Sequence, residues 1–165
     1  MKLSELKCIN KNINIEDYIT YRDEIKNKMD YPEWLGDFSK EDLINLINNG
    51  SNIWMYFLND EFICSMMMIP SNEKSLKKFE IDADYKKVVD YGPMFVNPSY
   101  RGNGLQLQML EKLDKYSLSL NYQYAVSTVH PDNSHSINNL LKDKFIWKGT
   151  KEFKRGIRNI YWKEL

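Results

Sequence analysis

The stretch Val96-Asn97-Pro98-Ser99-Tyr100-Arg101-Gly102-Asn103-Gly104-Leu105-Gln106 constrains this chain more than any other. An apolar run, Val88-Val89 and then Met94-Phe95-Val96, precedes it and predicts a strand over Val88 to Val96. Leu105, Met109, Leu113, Tyr116 and Leu120 follow at spacings of three and four, the period of an amphipathic helix. A strand that turns through two glycines into a helix makes an anion site, because the first N–H groups of a helix lack internal partners and carry the positive end of its dipole. Gly102 and Gly104 have no Cβ, so a phosphate can approach the backbone and positive φ is open to them. Arg101 adds a fixed charge. The physical reading is a pyrophosphate cradle, although the same four residues also make a plain strand-to-helix turn, and the surroundings have to decide.

A chain of 165 residues is long enough for one core, and we expect a single domain over 1–165. Lys plus Arg and Asp plus Glu are both 23, and this balance argues against a nucleic-acid or membrane-surface binder. No apolar run approaches a membrane span, and Met1 to Lys7 has no apolar signal core. Cys8 and Cys64 lack metal-ligand spacing, so no metal is expected; each sits in an apolar stretch and reads as a buried thiol. Together these point to the cytoplasm.

Taken in order, Leu6 to Ile9 is a short first strand and Asn14 an N-cap, with Glu16 and Asp17 in the first turn. Ser39 with Asp42 is a capping box for a second helix that ends at Asn49-Gly50. Ile53 to Leu58 and Phe62 to Ile69 form a hairpin about Asn59-Asp60, with Met66 to Met68 as core filler. Pro70 to Lys87 is polar and reads as a long loop covering a site, with one helical turn near Leu76. Gly92 and Pro93 predict a bulge or a missing ladder bond in the next strand. Tyr122 to Val129 completes a right-handed βαβ unit, Pro131-Asp132-Asn133 starts another helix, and two strands close the chain about Arg155-Gly156. The order describes an α+β domain with one mixed sheet.

Val96, Pro98, Arg101, Gly102 and Gly104 resemble motif A of the GNAT superfamily of acyl-CoA-dependent N-acyltransferases, and Asn133, after His130-Pro131, resembles its motif B. The chain departs from the family pattern at Gln106, where a Gly or Ala is usual, and at Lys144, where a Gly precedes the aromatic Phe145. The resemblance implies a mixed sheet of about seven strands with about four helices, strands 4 and 5 being parallel and splayed around the coenzyme. It implies acetyl-CoA as the acyl donor: its pyrophosphate on Arg101, Gly102, Asn103, Gly104, Leu105 and Gln106, its arm along the backbone of Phe95 and Val96, with Asn133 and Ser136 beside it. The implied activity is acetyl transfer to a primary amine of a small molecule or peptide by direct attack, in a monomer or homodimer. The alternative is an acyl-CoA-binding module with weak or no catalysis.

An amine near pKa 10 is protonated at neutral pH, so a base or a water relay helps. Asp90 lies on the strand where many family members carry a catalytic Glu, and it also reads as an edge carboxylate; Asp82 and Asp84 are alternates. The family's usual acid, a Tyr, is replaced by Leu140, so His130, Ser136 or water has to protonate the thiolate; His130 otherwise serves only to end its strand. For the acceptor, Tyr31, Glu33, Trp34, Asp37 and Phe38 place acids among aromatics, which suits a cationic amine or simply pins the loop to the core.

Overall fold

Strands that are apolar at every position need cover on both faces. A computed structural model describes residues 1–165 and shows that cover. The elements are β1 (Lys7–Ile9), α1 (Ile15–Asn27), α2 (Lys40–Asn48), β2 (Asn52–Leu58), β3 (Glu61–Pro70), α3 (Glu73–Phe79), β4 (Val88–Val96), α4 (Leu105–Ser119), β5 (Tyr124–Val129), α5 (Ser134–Lys142), β6 (Ile146–Phe153) and β7 (Gly156–Glu164). Seven strands lie in the order β1-β2-β3-β4-β5-β7-β6. Only β4 and β5 run parallel. Trp54, Met66 and Met68 face α4 and α5, where Leu105, Met109, Leu113 and Leu140 meet them. Ile53, Met55 and Met67 face α1 and α2, against Tyr18, Ile25 and Leu43. Consecutive methionines therefore fill two separate cores.

Local signals set most boundaries. Asn14 accepts from the N–H groups of Glu16 and Asp17, and Ser39 forms a reciprocal capping box with Asp42. Asn59 and Asp60 both adopt positive φ in the two-residue hairpin turn. Gly92 and Pro93 together oppose the single Met67, since Met66 pairs with Met94 and Met68 with Tyr91. That is the expected bulge.

Two expectations need correction. Residues 73–79 form α3, the fifth α-helix, where a covering loop with one helical turn was expected. Asn72 caps α3 through the N–H of Ser75, and Leu76 plugs a small cluster with Val88, Val126 and Ile160. This helix covers the paired base of β4 and β5. Cys64 is buried but Cys8 is exposed, because β1 is a three-residue strand at the edge of the sheet.

The end of α5 explains Lys144. The Phe145 N–H donates to Leu140 O and the Lys144 N–H to Leu141 O, both at 3.0 Å, the paired bonds of a Schellman cap. Leu140 and Phe145 then share one core, and Lys144 sits at φ 67, where a Cβ is unfavourable. Lys144→Gly is expected to stabilise the fold by about 0.5–1 kcal/mol, net of the entropy of glycine in the unfolded chain. Denaturant melts check this, and an unchanged or lower midpoint would show that the lysine side chain contributes something the cap geometry does not.

Candidate active site

The site begins where sheet bonding stops. β4 and β5 pair over Val88–Tyr124, Val89–Ala125 and Asp90–Val126 only. Beyond that the Ser127 hydroxyl donates to the Tyr91 carbonyl at 2.9 Å, and the strands part. The opening is a cleft of about 120 Å³ that runs through the sheet. Gln106, Leu110, Asn133, Ser136 and Leu140 line one side. Trp34, Leu35, Gly36, Phe38, Asp90, Thr128 and Arg155 line the other.

The bulge sets which backbone groups face the opening. The Asn97 N–H donates to Ile63 O on β3 at 2.8 Å. Alternation along the strand sends the Phe95 N–H the same way and turns those of Met94 and Val96 toward β5. Of the two backbone positions expected at the coenzyme arm, Val96 turns its N–H toward β5 and Phe95 does not. The Phe95 ring is buried against Tyr18 and Phe62.

The α4 N-terminus differs from those of the other four helices. Asn14, Ser39, Asn72 and Asn133 each cap a helix with a side chain. Gly104 starts α4 with no side-chain cap. The first N–H to find an intrahelical partner is that of Gln108, bonded to Gly104 O at 3.2 Å. Arg101, Gly102, Asn103 and Gly104 are exposed, and the two glycines have φ of 82 and 67 with no atom within 4 Å of where a Cβ would stand. Asn103 folds back to donate to Tyr100 O, and Leu105 anchors the turn in the core. Gln106 does not disrupt this turn. Its amide donates to Ser136 Oγ at 3.2 Å and accepts from Asn139 at 2.9 Å, tying α4 to α5. Leu140 is buried and offers no proton.

Asp90 lies on the floor of the opposite side. Burial pushes its carboxyl up to about 7, and the positive charge of Arg155, outside ion-pair contact, restrains the rise. Asp82 and Asp84 do not line the cleft; Asp84 accepts from the Lys86 N–H.

The other expected residues are placed differently. Tyr31 stacks on Trp34 at 4.4 Å, and Trp34 on His130 at 5.4 Å. His130 Nδ1 accepts from the Asp132 N–H at 3.2 Å. Neither His130 nor Tyr31 lines the cleft, and of the acceptor-loop residues Trp34 and Phe38 do. The Asp37 carboxylate is spent on Arg22 and Lys26, at 3.2 and 3.0 Å, and Glu33 is exposed. Arg155, Thr128 and Gly36 went unnoticed in the sequence. The one signal available was a hairpin turn carrying Arg155 and Arg158 with no acid between them.

A family model described as the acetyltransferase (GNAT) family matches residues 15–142. The chain belongs to that family. A GNAT acetyltransferase from Streptococcus pneumoniae has the same fold, with a TM-score of 0.69 at 13% identity over 96% of this chain and 99% of its own. So does an N-acetyltransferase from Staphylococcus aureus Mu50, at 0.68 and 17% over 96% and 98%. Aminoglycoside acetyltransferase AAC(6')-Ib, solved with coenzyme A, gives 0.71 and 15% over 96% and 95%. No curated protein sequence matches. Membership makes this GNAT chain an acetyltransferase by family, while the distant structures speak for the fold alone.

The raised Asp90 predicts a pH dependence of stability. The native carboxyl keeps its proton to about pH 7, whereas the unfolded one loses it near 4. The native state therefore binds more protons between these limits, and stability falls as pH rises through them. Asp90→Asn removes the penalty. Its Tm is expected to exceed that of the wild type by several degrees at pH 8 and to converge on it near pH 4. A gap that does not change with pH would contradict the burial of this carboxyl.

Proposed function

We propose that the protein is an N-acetyltransferase that takes its acetyl group from acetyl-CoA and transfers it to a primary amine of a small molecule or peptide by direct attack. One observation carries the reading: the uncapped N-terminus of α4 and a carboxyl raised to about 7 lie on opposite sides of one cleft through the sheet. The donor fits the first side. The exposed N–H groups of the α4 start, two glycines without a neighbour in the Cβ direction, and Arg101 suit a pyrophosphate. Asn103, Leu105 and Gln106 contribute backbone N–H groups. Met94 and Val96 present theirs to the opening for an extended arm, and a donor there suits an oxyanion. Asn133 has its amide NH₂ free of the cap, since only its Oδ1 accepts, from Ser136 N–H.

Acetyl-CoA supplies an activated thioester. Asp90 takes the proton that the acceptor amine must shed, directly or through one water, and a base with a pKa near the working pH is well matched to that task. The amide N–C bond forms as the C–S bond breaks, and the thiol leaves with a proton. Leu140 cannot supply it. Release of a free thiolate at pH 7 costs only about 2 kcal/mol, and water suffices. We assign His130 to holding Trp34 rather than to proton transfer. A silent coenzyme-binding module is favoured by Leu140 alone and has no use for a buried base.

Thiol release from acetyl-CoA across a panel of primary amines tests the reading. The wild type should turn over at least one of them and gain Tm with acetyl-CoA. Gly104→Glu should lose both through bulk and like charge. Asp90→Asn should keep the Tm gain but lose roughly ten- to a thousandfold in turnover at neutral pH, recovering at high pH where free amine is abundant. Full activity of Asp90→Asn at neutral pH would remove it as the base, and no Tm gain at millimolar acetyl-CoA would remove the cradle.

A further inference from the structure

The acceptor side of the cleft carries the guanidinium of Arg155, with that of Arg158 behind it, against the single carboxylate of Asp90. Arg155 lines the cleft from the turn between β6 and β7, and its Nη2 donates to Thr128 Oγ1 at 2.8 Å. Gly36 makes room for it: a Cβ there would stand 3.1 Å from Arg155 Nη1. Arg158, on the same hairpin, is 1% exposed. Its donors go to two main-chain carbonyls, of Ile157 at 2.7 Å and Glu33 at 2.8 Å. No carboxylate lies within ion-pair distance of either arginine. Glu33 and Glu152 act on Arg158 only from a distance, and burial with the neighbouring Arg155 pulls its pKa down. Asp37 is already paired elsewhere.

Arg158 is removed from water without a carboxylate, which is costly, and the exposed Arg155 beside it presents a planar fork that fits a carboxylate in a two-point contact. The wall therefore favours an anion. It disfavours a polycation, which would set like charges side by side in a space of about 120 Å³. The sole carboxylate of this half of the cleft, Asp90, is the one an amine needs.

We propose that the acceptor is a small amino carboxylate of the α-amino acid type, whose carboxylate docks on Arg155, with Arg158 behind it adding positive potential, and whose amino group lies against Asp90. This rests on the N-acetyltransferase reading above. The amine nitrogen bonds to the acetyl carbon, its proton passes to Asp90, the C–S bond breaks, and the products are an N-acetylamino acid and the free thiol. The carboxylate stays ionised on Arg155 throughout. Trp34, Leu35 and Phe38 then bound the substrate side chain, and their bulk selects small ones.

The test is thiol release with matched pairs, alanine against alaninamide and glycine against glycinamide, with putrescine as the polycation, compared per free base across pH. The acids should be preferred at least tenfold in kcat/KM. Arg155→Met should cut the acid-to-amide ratio at least tenfold, mostly through KM, and Arg155→Lys should restore part of it. The change of this ratio from wild type to variant cancels both the intrinsic reactivity of each amine and any change at Asp90 common to the two. Gly36→Ala, which pushes the guanidinium aside without removing its charge, should shift the ratio in the same direction. If amides or putrescine are used as well as the acids, or if Arg155→Met leaves the ratio as it was, the proposal is wrong and N-acetylation stands. If no amine of any kind is acetylated by protein that binds acetyl-CoA, both fail. The wild-type ratio alone decides should a variant not fold.

Discussion

The structure depends on an interruption in its own sheet. Parallel strands normally bond along their whole shared length, and here β4 and β5 stop after three residue pairs. Two features hold them apart. The Gly92–Pro93 bulge on β4 spends two residues against Met67 and reverses which N–H groups face β5. Ser127 satisfies the Tyr91 carbonyl with a side chain where a backbone donor would otherwise be needed. Below the break, Val88 and Val126 are locked under Leu76 of α3. On the α4 side, Tyr91 is held through its hydroxyl by Asp114 and Ser117, and Lys163 joins Asp114 to Asp143. The splay is thus braced on both faces, and the main chain it leaves unpaired is available to a ligand.

Charge divides the cleft. Gln106, in the first turn of α4, lines one side, and Asp90 and Arg155 line the other. Asp90 sits at the crossing point because the Asp90–Val126 pair is the last one formed, so its side chain projects just where the sheet opens. Burial alone would keep that carboxyl neutral; the Arg155 charge brings its titration back toward neutrality. In the proposed reading one arginine has two consequences, a carboxyl whose titration is restrained toward neutrality and a docking point for an anion. Local stability is given up for this, since a desolvated carboxylate at Asp90 and the buried guanidinium of Arg158 both cost folding free energy.

Much of this was legible in the sequence because its signals are local. Glycines at Gly102 and Gly104, caps at Asn14 and Ser39, the helix start at Pro131-Asp132-Asn133, and the helical spacing from Leu105 onward all act within a few residues, and the structure follows each. Asp90 was singled out only through the resemblance, which places a catalytic Glu at that point of the strand. The acceptor side was not legible, because its members meet only through topology: Gly36 lies between α1 and α2, Thr128 ends β5, and Arg155 turns the last hairpin. Acids and aromatics at Tyr31 to Phe38 suggested a cation site, yet Asp37 is neutralised by Arg22 on α1 and the rings stack on one another and on His130. Lys144 misled in the other direction. It looks like a departure from a Gly-Phe pair, but the backbone keeps the left-handed turn and the lysine bears the strain.

The central claim is that the splay holds Asp90 as a base with a pKa near neutrality. Carbon-13 NMR of protein labelled at the aspartate carboxyl carbons measures this directly, with Asp90→Asn identifying the resonance. The account predicts that this one carboxyl titrates with a midpoint near 7, and that Arg155→Met moves the midpoint higher. A midpoint near 4, in the range of a solvated carboxylate, would contradict it.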